Sequence, residues 1–549
     1  MSAGVFGRSR RATPSELVKA GHAGLFLAIA LSLAFLAQGL LGNRDKSLTW
    51  DEPRYIAAGY ASLTQSEFRL NPSHPPFLQE LMALPLLPLE LEIPPKGVEH
   101  WLATSNPAVE YGNALIYGSG NDVRQIGFWA RLPSLLMGAG LILAIYLWGR
   151  RLLGVTPALL ASALAALSPN LLAHAKLATL DMGSTAFVFA AVWAFWSAAK
   201  RDRVWDWIVC GLVSGLALLT KFTALLLAPM LALLGFGCLV LSEPSLGWKS
   251  LLRGLGIVGV IAFVAVGAGY NFSFDWPAYW RGITSIYVDL APAYPNYLLG
   301  EFSTDPWWYY HLAALGFKVP VPTLLLLVFA AVTACADRTR LGADVFLLVP
   351  VLVVLGASCF DHVNLGVRRV LPALPFLFLF AGRLLSGEVR LRTLRLIVAS
   401  LLIAWMAAEA LRIYPHHLAY FNSIVGGPER GASYLDDSNI DWGQDLPALA
   451  AWQEGEPTAR PLRLLYFGSA SPAAYGVESV DFSTQELMHP KPGYYAISVH
   501  NLIRFKLRRQ RAGPAVDWLD RYEPVARAGH SIYIYRFPEP QSAPHAPRR

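Results

Sequence analysis

The chain has 549 residues, of which 54% are hydrophobic and only 15% are charged, and its formal net charge is +7 at pH 7. Soluble domains carry about 25% charged residues, so this composition argues against a soluble protein. The basic residues occur in short clusters between apolar runs and not along one stripe, so no nucleic-acid partner is expected. The four cysteines lie in apolar stretches without metal-ligand spacing, which argues against a disulfide framework or a cysteine-metal site.

Uncharged runs near the length of a membrane-spanning helix recur from the N-terminal region onward. The first run follows a basic start and contains a small-residue match to a cleavage site at 37–39, so it could be a signal peptide. It is longer than the apolar core of a usual signal peptide, which favours a first membrane span. We predict about eleven transmembrane helices, since each crossing needs roughly 20 apolar residues. The predicted spans are 24–41, 132–148, 155–172, 182–199, 204–220, 222–241, 255–270, 319–335, 345–360, 370–382 and 396–413.

The short basic connections between these spans fall on one face when the N-terminus is placed inside. This distribution follows the positive-inside rule and predicts a cytoplasmic N-terminus. The long connections 43–131 and 271–318, and the tail from residue 414, then lie outside, and large loops on one face usually carry function. The cytoplasmic basic residues are Arg150, Arg151, Lys200, Arg201, Arg203, Lys249, Arg253, Arg338, Arg340, Arg383, Arg390, Arg392 and Arg395.

Three parts of the chain are predicted from these patterns. Residues 1–413 form a transmembrane domain, in which 43–131 is the functional outer loop. Residues 414–537 contain aromatic-rich, strand-like runs at 462–467, 494–499 and 531–537, separated by segments with Pro and Gly. Residues 538–549 are expected to be disordered. The predicted fold class is therefore a polytopic α-helical membrane protein with a C-terminal soluble α/β domain.

Two adjacent carboxylates, Asp51 and Glu52, follow the first predicted span in the sequence TWDEPRY. Neighbouring side chains point in different directions on a helix or a strand, so one carboxylate could act on a substrate while the other is held in place. A carboxylate at a membrane surface with restricted water could have a raised pKa and act as a general base. The alternative is that both residues simply begin a surface helix, with Pro53 in its first turn.

Isolated ionisable residues occur at the outer edges of other spans. His74 lies in the segment NPSHPPF, where it is either a phosphate-binding cation or proton donor, or an ordinary loop histidine. Charged residues at membrane depth are costly and indicate function, although Lys221 could extend to the interface. Together these cations and carboxylates suit an anionic phosphate headgroup, with one carboxylate left to activate an acceptor. The other residues concerned are His174, Lys176, Asp181, Asp361, His362, Arg368 and Arg369.

An acidic segment, residues 434–445, superficially resembles a calcium-binding loop. Counting from Asp437, its glycine comes one position late and the twelfth position is Ala448 instead of Glu, so a calcium loop is not expected. A turn followed by a capped helix is the favoured interpretation, with contact to an acceptor as the alternative.

The order of these features resembles the GT-C superfamily of lipid-carrier-dependent glycosyltransferases, over most of the chain. It resembles especially the bacterial relatives of protein O-mannosyltransferases and of the aminoarabinose transferase that acts on lipid A, which are similar to glycosyltransferase family 39. One departure is His74, since the aminoarabinose transferases usually have a lysine there. The resemblance rests on Asp51-Glu52, His74-Pro75-Pro76, Asp181, Thr220-Lys221 and Gly366-Val367-Arg368-Arg369 before Leu371-Pro372.

The resemblance implies an inverting transfer of a sugar from a polyprenyl phosphate to a protein, lipid or glycan acceptor. Asp51 would be the general base and Glu52 would position the acceptor. The departing phosphate gains charge in the transition state, where fixed cations stabilise it, so no cofactor is expected and binding of a divalent metal stays open. The implied phosphate-binding residues are His74, Lys221, Arg368 and Arg369; further candidates for substrate binding are Arg54, Tyr55, Asp181 and Arg131.

The expected partners are a polyprenyl-phosphate-linked sugar, membrane lipid and an acceptor that the sequence does not identify. The expected location is the bacterial cytoplasmic membrane, with the active site and C-terminal domain on the outer face. A transporter or flippase for lipid-linked sugars is the main alternative, but it should place ionisable residues near the bilayer centre and often shows internal repeats. A phosphoryl-group transferase should show a metal-ligand cluster or an activated Ser or Thr. The sequence shows no internal repeat, places its ionisable residues at one edge, and shows neither a metal-ligand cluster nor an activated Ser or Thr. These features favour a glycosyltransferase over both alternatives.

Overall fold

The computed structural model describes residues 14–241, 246–270, 279–284, 294–386, 391–481, 486, 490–512 and 522–538. Within these ranges the chain is mostly helical, and one five-stranded sheet lies in the C-terminal region. Almost all of the predicted disordered tail, residues 539–549, lies outside the described residues, as does the basic Arg390.

The described α-helices are numbered in chain order. Short 3-10 helices join several of them, including Leu84–Leu89, Phe222–Leu226 and Val367–Ala373. The helices are α1 Pro14–Asn43, α2 Glu52–Gln65, α3 Pro76–Ala83, α4 Val98–Leu102, α5 Pro107–Asn113, α6 Val123–Leu152, α7 Val155–Ala166, α8 Pro169–Ala175, α9 Leu180–Arg201, α10 Val204–Leu218, α11 Leu227–Leu241, α12 Trp248–Gly269, α13 Tyr310–Lys318, α14 Val321–Ala336, α15 Leu341–Ser358, α16 Leu374–Gly382, α17 Arg392–Ile413, α18 Leu446–Gly455 and α19 Val499–Ala512.

Seven helical segments in the described part of the chain are long and apolar enough to cross a membrane, and nine are if two bent pairs each count as one span. The bent pairs are α7 with α8, at 59°, and α13 with α14, at 113°. The two other predicted spans, 204–220 and 370–382, contain helices of only 15 and 9 residues. In the latter, residues 367–373 form a 3-10 helix and Pro375 lies in the first turn of α16, since proline cannot supply an N–H inside a helix. The predicted polytopic helical membrane fold is confirmed.

Close helix packing fixes the start of the outer loop. A Cβ atom added to Gly59 of α2 would lie 1.9 Å from the backbone oxygen of Gln79 in α3. A Cβ atom on Gly112 of α5 would lie 2.6 Å from the backbone oxygen of Pro53. Because only glycine allows backbones to approach this closely, α2 is held between α3 and α5. This packing sets the position of Asp51 and Glu52 at the N-terminus of α2.

The C-terminal sheet confirms that the predicted C-terminal region contains both helices and strands. Its strands are β3 Leu462–Leu465, β4 Ser479–Val480, β5 Gly493–Ser498, β6 Ala526–Ala528 and β7 Ile532–Phe537, and a separate hairpin pairs β1 Asn296–Leu298 with β2 Glu301–Ser303. The order is β4-β3-β5-β7-β6, with β3 parallel to both neighbours and β7 antiparallel to both of its own. Alternate residues such as Leu462 and Leu464 pack with Leu446 and Leu449 of α18, as expected of a half-buried strand.

Candidate active site

A cavity of about 960 Å³ brings together segments that are far apart in the sequence. The loop before α2, the start of α9, the turn before α11 and the segment after α15 all contribute to its wall. Eight of the ten sequence-predicted site residues line it: Asp51, Arg54, Tyr55, His74, Asp181, Lys221, Arg368 and Arg369. Most of the ionisable residues that the sequence places on one side therefore meet at a single site, whereas His174 and Lys176 do not line this cavity.

Asp51 occupies the N-cap position of α2, but its side chain makes no capping bond to the described helix. The carboxylate turns to the cavity instead. Arg368 Nη1 donates to Asp51 Oδ2 at 3.0 Å, and the Tyr55 hydroxyl lies 3.5 Å from the same oxygen. Oδ1 accepts no hydrogen bond from a described residue, and Arg54 Nη1 lies 3.9 Å from it, which is beyond hydrogen-bond distance. Oδ1 is thus the oxygen with room for a substrate hydroxyl.

Glu52 turns the other way and is fully buried. Its two oxygens accept bonds of 2.7 Å from Arg131 Nε and Nη2, and Oε1 also accepts the backbone N–H of Ala178 at 2.8 Å. The Thr49 backbone N–H and hydroxyl donate to Oε2, in the spacing of a capping box. Glu52 and Arg131 are not among the described residues that line the cavity. The contacts of this pair hold the loop in place.

Two further carboxylates of the cavity each lie beside a cation. Lys221 Nζ donates to Asp181 Oδ1 at 2.7 Å. Asp361 lies 3.9 Å from Arg369 Nη1 and 3.7 Å from His311 Nε2. The cations on the wall are therefore already balanced in part, and Arg369, like Arg54, has only a loose described ion pair of 3.9 Å.

His74 and Tyr55 form a neutral pair in the cavity wall. The Tyr55 hydroxyl lies 3.2 Å from His74 Nε2. Burial, aided by the positive charges of Arg54 and Lys221, holds the pKa of His74 well below its ordinary value. Burial and the neighbouring Asp51 raise the pKa of Tyr55. The expected cationic histidine is therefore an uncharged hydrogen-bonding group at neutral pH, and Tyr55 keeps its proton.

Some residues at the site had no role assigned from the sequence. Tyr294 lines the cavity and donates to Asp437 Oδ2 at 2.6 Å, and Asp305 adds a further carboxylate to the wall. The T-x-x-E spacing of Thr49 and Glu52 was a usable signal that Glu52 turns back into the loop. For Tyr294 the sequence offered only its place in an aromatic-rich outer connection. The described residues contain no group of three or more His, Cys, Asp or Glu side chains placed to hold a metal ion.

The fold and the cavity define a class: a multi-pass membrane protein whose ionic cavity is built from the edges of its helices. Residues 123–268 match the family model described as dolichyl-phosphate-mannose-protein mannosyltransferase. The relationship to the GT-C glycosyltransferase superfamily, predicted from the sequence, is confirmed.

A curated relative is similar over part of the chain. It is the undecaprenyl phosphate-alpha-4-amino-4-deoxy-L-arabinose arabinosyl transferase 1 of Pseudomonas fluorescens, 28% identical over 286 residues. The match covers 48% of each chain, so the protein spans about half the length of this relative.

Two solved structures are also similar. ArnT from Cupriavidus metallidurans bound to undecaprenyl phosphate is 15% identical, with a TM-score of 0.48, over 93% of this chain and 97% of that one. The apo oligosaccharyltransferase of Archaeoglobus fulgidus is 14% identical, with a TM-score of 0.47, over 79% of this chain and 58% of that one.

Proposed function

We propose that the protein is an inverting glycosyltransferase that moves a sugar from a polyprenyl-phosphate donor to a hydroxyl of a protein, lipid or glycan acceptor. One observation carries this proposal: a single cavity places the Asp51 carboxylate among the four cations Arg54, Lys221, Arg368 and Arg369. A base and an anion-binding surface are the two functions that transfer from a phosphate leaving group requires.

In the proposed reaction, Asp51 accepts the proton of the acceptor hydroxyl as the hydroxyl oxygen attacks the anomeric carbon. The bond between that carbon and the phosphate oxygen breaks, and its electron pair leaves with the polyprenyl phosphate. Attack opposite the leaving group inverts the anomeric centre. Arg368 contacts Asp51 directly, so it would orient the base, and its remaining N–H groups could stabilise the charge of the departing phosphate.

The phosphate would bind next to Arg369, Lys221 and Arg368. Arg369 lies 3.9 Å from Asp361, so its guanidinium is free to turn to phosphate oxygens, which it can bind through two parallel N–H groups. A narrow, largely apolar crevice adjoins Arg369 and is lined by Val188, Leu227 and Met230, among others. A phosphate head beside an apolar channel suits a lipid phosphate better than a water-soluble nucleotide sugar.

The relatives support the same donor class. The curated relative is named for an aminoarabinosyl donor on undecaprenyl phosphate, and the matched family is described by mannose on dolichyl phosphate. Both carriers are polyprenyl phosphates, whereas the two sugars differ. This supports the carrier and leaves the sugar open.

We infer that the cavity opens to the extracytoplasmic side of a bacterial cytoplasmic membrane, with the N-terminus in the cytoplasm. The support is the positive-inside pattern, because the short basic connections lie at the helix ends opposite the cavity-lining segments in the predicted topology. Burial of ionic side chains at one edge of the spans also fits an enzyme better than a transporter, whose site lies near the bilayer centre.

The test is transfer of a labelled sugar from a polyprenyl-phosphate donor in liposomes. We expect Asp51→Asn to lower turnover by roughly 10²–10⁴-fold, the contribution typical of a general base. Asp45→Asn is a matched control, because this exposed aspartate lies in the same loop. Undiminished turnover by Asp51→Asn would remove that residue as the base. Movement of the donor across the bilayer without any glycosylated product would replace the enzyme with a transporter.

A further inference from the structure

Residues 436–445, within the acidic segment, connect the loop that carries Asp51 with the loop that carries Arg368. Residues 435–446 are all buried, and Trp442 is only 2% exposed. The segment runs beside the loop that carries Asp51 and beside the loop that carries Arg368. The sequence interpretation of a turn before a helix did not include these contacts.

Trp442 contacts both of these loops itself. Its backbone oxygen accepts the N–H of Trp50, the residue before Asp51, at 2.9 Å. The guanidinium carbon of Arg368 lies 4.4 Å from the centre of its ring system, within the range of a cation–π contact. One residue therefore contacts Arg368 directly and also holds the residue before Asp51, and Arg368 and Asp51 form an ion pair of 3.0 Å.

The neighbouring residues of the segment fix the Arg368 loop further. Asn439 Oδ1 accepts the backbone N–H of Val367 at 3.2 Å, and the Ser438 hydroxyl donates to the Leu365 oxygen at 3.0 Å. Gly366 has a φ of +93°, and a Cβ atom there would lie 2.4 Å from the Asn439 amide. This glycine is required both by its backbone angle and by the close approach of the segment.

The segment is also tied to its surroundings on two sides. Lys318 Nζ donates to the backbone oxygens of Leu418 at 2.8 Å and Asn439 at 2.5 Å. On the side of the sheet, Asp436 accepts from Arg504 Nε at 2.8 Å and lies 2.9 Å from His500 Nδ1. A segment held from two sides gives Trp442 one defined position, which is what preorganisation of charged groups requires.

We propose that Trp442 is a positioning residue that aligns Arg368 with Asp51; this inference rests on the proposed function. The indole face keeps the Arg368 guanidinium on one oxygen of Asp51, and the Trp442 carbonyl keeps the peptide before Asp51 in register. Without the ring, the guanidinium is free to turn and pair with both oxygens of Asp51. The base would then lose the oxygen that takes the proton.

The experiment compares Trp442→Phe, which keeps an aromatic face, with Trp442→Leu, which does not. We expect the leucine variant to lose about 10–100-fold in kcat with a smaller change in the donor KM, since misplacement by about 1 Å is enough for such a loss. The phenylalanine variant should recover most of the rate. Trp452→Leu is the matched control, because Trp452 packs against Tyr494 of the sheet, away from the cavity.

A double-mutant cycle with Arg368→Gln tests whether Trp442 acts through that arginine. We expect Trp442→Leu to add little to the loss caused by Arg368→Gln, since residues in contact are not additive. Additive losses, or full kcat in Trp442→Leu, would overturn the proposal. Where thermal unfolding shows that the leucine variant is not folded, Trp442→Met, which fills more of the space but has no aromatic face, carries the same cycle. An inactive wild type would instead count against the proposed function, which separates the two failures.

Discussion

Asp51 and Glu52 are adjacent in the chain, and each pairs with a distant arginine, yet their surroundings are opposite. Both oxygens of Glu52 are fully used by Arg131, Thr49 and the Ala178 N–H inside the protein. One oxygen of Asp51 accepts no hydrogen bond from a described residue and lies 3.9 Å from Arg54 Nη1, at the wall of a large cavity. The comparison teaches that a carboxylate available for chemistry is recognised by its unused hydrogen-bonding capacity and not by its charge alone.

The largest expected effect is the difference in protein stability between a substitution of Glu52 and a substitution of Asp51. Glu52→Gln leaves Arg131 as an uncompensated buried charge, so we expect the free energy of unfolding to fall by roughly 3–5 kcal/mol. Asp51→Asn should change it little, because that side chain faces the cavity. Thermal or denaturant unfolding in detergent measures both. The comparison fails if Asp51→Asn proves the more destabilising of the two.

Asp441 extends the comparison to a buried carboxylate that has no described cation within ion-pair distance. Burial raises its pKa to about 7, although the backbone N–H groups of His500 and Gly443 donate to it. The folded state then binds a proton that the unfolded state releases near pH 4, so this group makes stability fall as pH rises toward 7. Above that pH the penalty is constant.

We therefore expect Asp441→Asn to gain stability relative to the wild type by roughly 2 kcal/mol between about pH 5 and pH 7. Unfolding midpoints across this range measure the difference. Asp481→Asn, an exposed aspartate in the same region, should show a difference that does not change with pH. A pH-independent difference for Asp441→Asn as well would show that the buried carboxyl does not titrate in this window.

A substitution of Arg369, which lines the cavity, tests whether this part of the wall binds the donor phosphate. Removing a charge-assisted bond to phosphate costs about 1.5–3 kcal/mol, so we expect Arg369→Ala to raise the donor KM by roughly 10–100-fold. The effect on kcat should be smaller, because the Arg368 contact with Asp51 stays intact. Arg338→Ala, which removes an exposed arginine from a predicted cytoplasmic connection, is the control. An unchanged donor KM would show that the phosphate does not bind at Arg369.

The sequence predicts the helical membrane fold and most of the cavity because charges stand out against apolar runs. Trp442 could not be found this way, since the chain has 17 tryptophans and no local pattern marks the one beside Arg368. The Glu52 partner Arg131 lies 79 residues away, and only the fold brings them together. The number of spans in the structure also differs from the eleven predicted, because hydropathy does not show where a helix breaks. Pro372 and Pro375 limit one predicted span to a short helix, and two other apolar stretches are bent pairs of helices.

The smallest expected effect concerns His74, whose imidazole is neutral because burial and nearby cations lower its pKa. Glutamine can keep one neutral hydrogen bond to the Tyr55 hydroxyl, so we expect His74→Gln to lose less than about tenfold in turnover. The shape of the pH–rate profile between about pH 6 and pH 8 should not change, since a group that stays neutral contributes no inflection there. His100→Gln, at an exposed histidine of the same loop, is the control. An inflection present in the wild type and lost only in His74→Gln would mean that the imidazole does carry a charge. The phosphate site would then include a fifth cation beside Asp51.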